Sequence, residues 1–321
     1  MLNIGTWNLE NLFLPGGEFG PSTTQIYERK LDLLAGTIMS ADLDVLAVQE
    51  VGDPAPFDDL RGRLEGSWTG VLSTHFELGH PIRVGFLSRV AIAATSEVWE
   101  IPQQLRNTPT SDDGAPLTVM GRGAVHIELQ PGGEALHLVT AHFKSKLLSF
   151  PGRTVETSSF TPHDEGERAR YGAYALNRRA AEAVTVRGYA DTLLDGQGTQ
   201  RRVIVMGDLN DEVLAATTQI LNGPPGSEIG TAGEHHPDKG DAWRLLNLAP
   251  LIPEDKRYSR VFEGRRELID HQFISTALRD KVQSVTTVAA QSSLPSITVN
   301  AAARKDDPAS DHAMVLARYD L

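Results

Sequence analysis

Cysteine is absent from this chain of 321 residues, which removes disulfide frameworks, thiolate zinc sites, iron–sulfur clusters and cysteine nucleophiles together. Long apolar runs are missing too, and none approaches the roughly 20 residues that a membrane helix needs. The opening residues, Met1-Leu2-Asn3-Ile4-Gly5, lack a basic stretch followed by an apolar one, so no signal peptide is read there. Aromatic residues make up only 6%, and no exposed aromatic hairpin suited to entering a membrane is seen. Positive charge is the minority, with 30 Lys and Arg against 42 Asp and Glu, a net −12. That balance argues against indiscriminate coating of nucleic acid, while a local basic groove stays compatible with it.

What is present is ordinary for a globular protein: 40% hydrophobic and 22% charged residues. At this length one core buries enough apolar surface without staples. No internal repeat and no Pro/Gly/Ser linker divides the chain. We therefore expect one α+β domain over residues 1–321, soluble and cytoplasmic. Apolar runs at 2–8, 45–49, 83–87, 91–98, 123–129, 136–142, 202–206, 266–275 and 313–319 read as strands, mostly in antiparallel pairing. Residues 26–39 and 166–194 read as helices. Two long irregular stretches, 105–118 and 144–165, have the length of binding loops or mobile segments.

Polar groups gather where strands end. Asn8 and Glu10 close the first, and two residues apart in an extended chain they face the same way. Glu50 ends the second run, at a sheet rim where a hard oxygen ligand serves Mg²⁺. His142 ends another strand, and Lys144 follows on the same side, a pairing suited to an anionic substrate. The run Val203-Ile204-Val205-Met206 exits through Gly207 into Asp208 and Asn210, one able to take a proton and the other to hold an oxygen. Two Asp-His pairs, Asp270-His271 and Asp311-His312, come last. His271 shares a face with Ile269 and Phe273 and reads as structural.

Each fragment alone is common, but their order is not. The series from Trp7-Asn8 through Gln49-Glu50, His142, Gly207-Asp208-Leu209-Asn210 and Ile269-Asp270-His271 to Ser310-Asp311-His312 resembles the endonuclease/exonuclease/phosphatase superfamily, with its DNase I-like fold, and spans essentially the whole chain. The resemblance implies a four-layered α/β sandwich: two mostly antiparallel sheets face to face, with helices outside. It implies a Mg²⁺ (or Mn²⁺) site at Asn8 and Glu50, with Asp311 as a further ligand directly or through water. It implies that Asp208 and Asn210 surround the nucleophilic water and the phosphate. His312 would stand beside the scissile phosphate, oriented by Asp270, and His142 would face the same phosphate. Arg122 falls where many members carry a phosphate-contacting arginine, although the flanking proline is missing here. Glu10 matches a position that some members use as an outer carboxylate.

Substrate class is harder to read. Residues 144–179 hold seven Lys/Arg (144, 146, 153, 168, 170, 178 and 179) against four Asp/Glu, a local +3 in an acidic chain. A basic rim formed by Lys144, Arg178 and Arg179 beside the site is therefore expected, against the plainer reading of a solvated helix face. The leading expectation is a metal-dependent phosphodiesterase acting on nucleic acid, DNA first, by direct water attack. The alternative is hydrolysis of a small soluble phosphoester such as a nucleotide or inositol phosphate. A binding module that had lost its chemistry would lack ligands, and here every ligand position is filled. No membrane partner is expected.

Overall fold

Alternation of side chains along the strands decides the architecture. The computed structural model describes residues 1–77, 81–108, 115–150, 160–298 and 301–321. Parts of both irregular stretches (109–114 and 151–159, with Arg153 of the basic segment) lie outside the described residues. In chain order the elements are β1 (Leu2–Leu12), α1 (Thr24–Ser40), β2 (Val45–Val51), α2 (Pro54–Gly62), β3 (Thr69–Leu72), β4 (Arg83–Ser88), β5 (Ile92–Glu100), β6 (Val119–Leu129) and β7 (Leu136–His142). They continue with α3 (Glu165–Leu194), β8 (Arg202–Asp208), α4 (Ala216–Asn222), β9 (Leu245–Asn247), β10 (Arg260–Phe262) and β11 (Arg265–Glu267). The last are β12 (Asp270–Ser275), β13 (Val282–Val288), β14 (Ser296–Ile297) and β15 (Met314–Tyr319).

One six-stranded sheet has the order β13-β15-β1-β2-β4-β3, and a second has β5-β6-β7-β8-β12-β9. A small sheet, β11-β10-β14, stands apart. Within the large sheets, among the described residues, only β1 with β2 and β7 with β8 run parallel, so both are mostly antiparallel. Between them lies a core of Leu2, Ile4, Val45, Ala47, Val84 and Phe86 against Val125, Ile127, Leu138, Ile204, Met206 and Ile274. The opposite face of the first sheet, including Trp7, Leu46 and Val48, packs on Tyr27, Leu31, Leu34 and Ile38 of α1 and Phe57 and Leu60 of α2. The opposite face of the second, including Val139, Val203, Val205 and Phe273, packs on Ala183, Val186 and Ala190 of α3 and Leu221 of α4. Burying each large apolar side chain contributes roughly 1.5–3 kcal/mol, so three such layers outweigh any single surface contact. The four-layered sandwich is the observed fold.

Local signals explain the helix starts. Thr23 Oγ1 accepts from Ile26 N at 3.3 Å, and Asp164 Oδ1 accepts from Glu167 N at 2.8 Å. The run 266–275, expected as one strand, is instead broken into β11 and β12. Between them Ser259 Oγ accepts from the amides of Ile269 and Asp270, each at 3.1 Å; β11 pairs with β10 in the small sheet, while β12 joins β8 from Asp270 onward. Among the described residues no helix is long and apolar enough to cross a membrane.

Candidate active site

The same alternation, carried to the strand ends, assembles the site. Ile4, Ala47, Leu138, Ile204, Met206 and Ile274 face the seam between the sheets. Thr6, Gln49, Thr140 and Gln272 therefore share that face one step along, and there the apolar core turns polar. Gln49 Nε2 donates to Thr6 Oγ1 at 3.1 Å and to Thr140 Oγ1 at 2.9 Å, while Gln272 Nε2 donates to Ile4 O at 3.0 Å, tying the sheets together. One step further come Asn8, His142, Asp208 and Asp270, at one edge of the sandwich. His142 and Asp270 are both the register partners of Asp208, so the second sheet lays these three side by side.

Across the seam, Asn8 Nδ2 donates to Glu50 Oε1 at 2.9 Å and to Asp208 Oδ2 at 3.0 Å. His142 Nε2 lies 3.4 Å from Asp208 Oδ2 and 3.9 Å from Glu50 Oε1. His312 Nδ1 donates to Asp270 Oδ2 at 2.7 Å, leaving Nε2 facing Asp208 at 3.9 Å and Asp311 at 4.0 Å. Asn210 N donates to Asp208 Oδ1 at 2.9 Å, and its Nδ2 donates to Phe143 O at 3.1 Å. Seven of the expected residues thus converge: Asn8, Glu50, His142, Asp208, Asn210, Asp270 and His312. Asp311 stands at their margin, where its amide donates to Glu10 Oε2 at 2.8 Å.

Charge and burial set the proton affinities. Burial pushes Asp208 up, the charge of Asp270 adds to it, and His312 and the Asn8 hydrogen bond work against them. Burial disfavours the His312 imidazolium, but Asp270, Asp311 and Asp208 more than compensate and push its pKa up to about 10. His312 is therefore a cation at neutral pH. The backbone around the site is strained: Glu10, Asn11, Glu50 and Asn210 all have positive φ, between 50° and 60°. For non-glycine residues such conformations persist only where the surroundings impose them, and they concentrate at working sites. Glu10 consequently sits where the register of β1 shifts beyond Asn8; its N–H turns back to Asn8 Oδ1 at 2.9 Å.

Glu50 with His142 and Asp208, and Asp208 with Asp270 and His312, each form a group whose ligand atoms lie within 4.8 Å of one another. Two carboxylates and an imidazole converging on one point is an arrangement that a divalent cation relieves, and Glu50, Asp208 and the Asn8 amide are hard donors suited to Mg²⁺ or Mn²⁺. A half-turn of that amide would present Oδ1 in place of Nδ2. The residues fit the ion.

The basic residues divide. Arg122 Nη1 donates to Phe143 O at 2.7 Å, the carbonyl that also holds Asn210, and its buried Nε has no partner among the described residues. Lys144 is half-buried nearby; burial, then Arg122 and Arg178, press its pKa down to about 8. Arg178 is bidentate to Glu77, at 3.0 and 2.8 Å, and its Nε reaches Glu182 at 3.3 Å. Arg179 is buried, giving Nε to Asp211 at 3.2 Å and Nη1 to Lys144 O at 2.9 Å. His271 lies on the helix-facing side, where Nε2 meets Asp211 O at 2.9 Å.

Several supporting groups were not singled out from the sequence. Trp7 Nε1 donates to His312 O at 2.8 Å, and Ser310 Oγ donates to Asn8 O at 2.7 Å while accepting from His312 N at 3.0 Å. Arg304 grips Glu10 at 2.8 and 3.0 Å, and Lys30 is buried near Glu10, Asp311 and Glu50. Trp7 and Ser310 lay inside the recognised motifs; Lys30 and Arg304 carry no local signal.

A profile described as the Endonuclease/Exonuclease/phosphatase family matches residues 5–312. No curated protein matches the chain. Among solved structures, truncated TDP2 from Caenorhabditis elegans is similar with TM-score 0.58 and 16% identity, covering 99% of this chain and 97% of that one. The human Nocturnin catalytic domain, solved with a bound sulfate anion, gives TM-score 0.55 at 15% identity, covering 99% and 94%. An endonuclease/exonuclease/phosphatase family protein from Bacteroides thetaiotaomicron gives 0.56 at 15%, again covering 99% and 94%. These likenesses carry the fold, and the profile covers every residue from Asn8 to His312 that meets at the sandwich edge. The chain belongs to the endonuclease/exonuclease/phosphatase family, whose members are hydrolases acting on phosphoester bonds.

Proposed function

We propose that this protein is a divalent-metal-dependent phosphodiester hydrolase that acts on nucleic acid, DNA first, by direct attack of water. One observation carries the reading: the Asn8–Glu50–Asp208 cluster and the Asp270–His312 pair meet at Asp208, so a cation site and a proton donor address one substrate position. Glu50 and Asn8, with Asp311 at the margin, are the residues that would hold the ion. When bound, a divalent ion supplies Lewis-acid polarisation of a phosphoryl oxygen.

The remaining chemistry belongs to side chains. Asp208, whose burial raises its proton affinity, is the base that holds a water and takes its proton. Asn210, anchored on Phe143 O and on Asp208, orients a phosphoryl oxygen. His312, kept cationic by Asp270, gives Nε2–H to the oxygen on which charge develops. His142 lends a second imidazole to the same phosphate. Arg122, held on Phe143 O, and Lys144 stand next to this cluster and supply positive charge beside it. A small phosphoester is the second reading, favoured by the crowding of Arg122, Lys144 and Arg178, which suits a compact dianion.

A panel of supercoiled DNA, linear DNA, RNA, a nucleotide and an inositol phosphate, each with Mg²⁺ and with Mn²⁺, tests the proposal. DNA cleavage that stops on chelation is the expected result. Turnover confined to the small esters would move the assignment to the second reading, and turnover of none would end both.

A further inference from the structure

Beside the catalytic cluster lies a charged assembly whose two carboxylates, Glu77 and Glu182, have no part in the proposed chemistry. The Glu182 carboxylate, 1% exposed, accepts from Gly121 N at 3.2 Å, from Lys144 N at 2.6 Å and from Arg178 Nε at 3.3 Å. It thereby ties the start of β6 and the exit of β7 to α3, and it fixes the plane of the Arg178 guanidinium. The other edge of that guanidinium holds both oxygens of Glu77. A glycine makes room for this pair: a Cβ at Gly121 would stand 1.9 Å from Arg178 Nη2 and 2.9 Å from Glu77 Oε2. Arg122 and Lys144 complete the surroundings, since both act on Glu77 electrostatically together with Arg178. Arg122 is in turn joined to the catalytic groups through Phe143 O.

Arg178 therefore grips the Glu77 carboxylate directly, with Arg122 and the Lys144 amine (which also donates to Leu147 O at 3.3 Å) close enough to add their charge, and the two partners of the ion pair differ in access. The Arg178 side chain is 14% exposed and anchored from behind, whereas the Glu77 side chain is 41% exposed. Two carboxylate oxygens on a guanidinium fork occupy the positions that two phosphate oxygens would take. An ion pair exposed on one side is weak and exchangeable. Resting on the phosphoesterase reading above, we propose that Arg178, Arg122 and Lys144 form a subsite for a non-scissile phosphate of the substrate, and that Glu77 is its internal occupant, which the substrate must displace. Glu77 thus sets a threshold: ligands bearing a second phosphate gain the three cations, and ligands without one meet a filled site.

The test uses inorganic phosphate as probe and the full chain stripped of metal, so that no turnover is involved. Glu77→Gln keeps the shape and removes the competing charge. By calorimetry it should bind phosphate about fivefold more tightly than the parent, the scale of one exposed ion pair. Adding Lys144→Gln to that variant should cancel the gain. Glu77→Gln binding no tighter, or a gain that survives Lys144→Gln, overturns the subsite. In kinetics, Glu77→Gln should lower KM more for substrates with an extra phosphate than for bis(p-nitrophenyl) phosphate. A fall confined to longer oligonucleotides marks a chain phosphate, and one confined to a 5′-phosphorylated dinucleotide marks a terminal monoester. Equal KM changes for all three substrates also overturn the subsite. Phosphate binding that responds as expected in a protein that hydrolyses no phosphoester would keep the subsite and remove the proposed function.

Discussion

Asp270→Asn is the substitution whose outcome is most tightly set by the geometry. Asp270 Oδ2 accepts the Nδ1 proton of His312 at 2.7 Å, and both side chains are buried. In the intact protein the His312 pKa stands at about 10, so the imidazolium persists through neutral pH and is lost only as pH rises through that value. Asparagine keeps the shape but removes the charge that most offsets burial. The pKa then falls, although Asp311 and Asp208 still favour the cation, so the imidazolium is lost at lower pH than in the parent. The loss of kcat should therefore grow as pH rises, up to the roughly 10²–10⁴-fold that a positioned proton donor supplies. The assay is kcat on bis(p-nitrophenyl) phosphate from pH 5.5 to 9, expressed as the ratio of variant to parent and read on the alkaline side, away from the Asp208 limb that Asp270 also influences. That ratio should be nearest unity at the acid end and fall as pH rises. A ratio independent of pH would refute the reasoning, because the role of Asp270 would then not be to hold a proton on His312.

Other substitutions separate the remaining roles. Glu50→Gln should weaken Mg²⁺ binding by calorimetry roughly 10- to 100-fold with the fold intact, since glutamine lacks the charge a hard cation demands; unchanged affinity would move the ion elsewhere. Lys144→Ala should flatten the dependence of log K for DNA on log salt by about one, whereas Arg179→Ala, which unpairs a buried guanidinium site, should lower the melting temperature instead. Gly207→Ala should destabilise the protein by about 3 kcal/mol or more in urea titration, because φ is +143° and a Cβ would lie 1.9 Å from Ala141 O. A near-neutral Gly207→Ala would mean that the Asp208 strand end is far softer than its packing implies.

Much of the site was legible because it follows from period-two alternation. A strand whose inward face reads apolar and then ends in Asn8, His142 or Asp208 must deliver that group to the sheet edge, and the chain order of the motifs supplied the rest. What stayed hidden is nonlocal. Arg178 looks like a free cation within a basic stretch, yet its partner Glu77 is 101 residues away. Arg179 meets Asp211 across 32 residues. The break between β11 and β12 falls where the chain passes from β10 to β8 as pairing partner, and the residues 266–275 carry no turn signal of their own. The positive φ of Glu10 and Glu50 is imposed by irregular register where β1 meets β2 and β2 meets β4, and neither residue type announces it. Helix α2 escaped notice because it is short, and its Asp53 cap makes no side-chain bond.

The central claim, phosphoester hydrolysis by direct attack of water at this edge of the sandwich, is tested most directly by the stereochemistry at phosphorus when a DNA duplex carrying a phosphorothioate of known configuration is cleaved in oxygen-18 water. The account predicts inversion, the outcome of a single displacement by water, with cleavage by Glu50→Gln sharply reduced at sub-saturating Mg²⁺. Retention would mean a covalent enzyme intermediate in place of direct water attack, and full activity in Glu50→Gln would place the chemistry outside the Asn8–Glu50–Asp208 cluster.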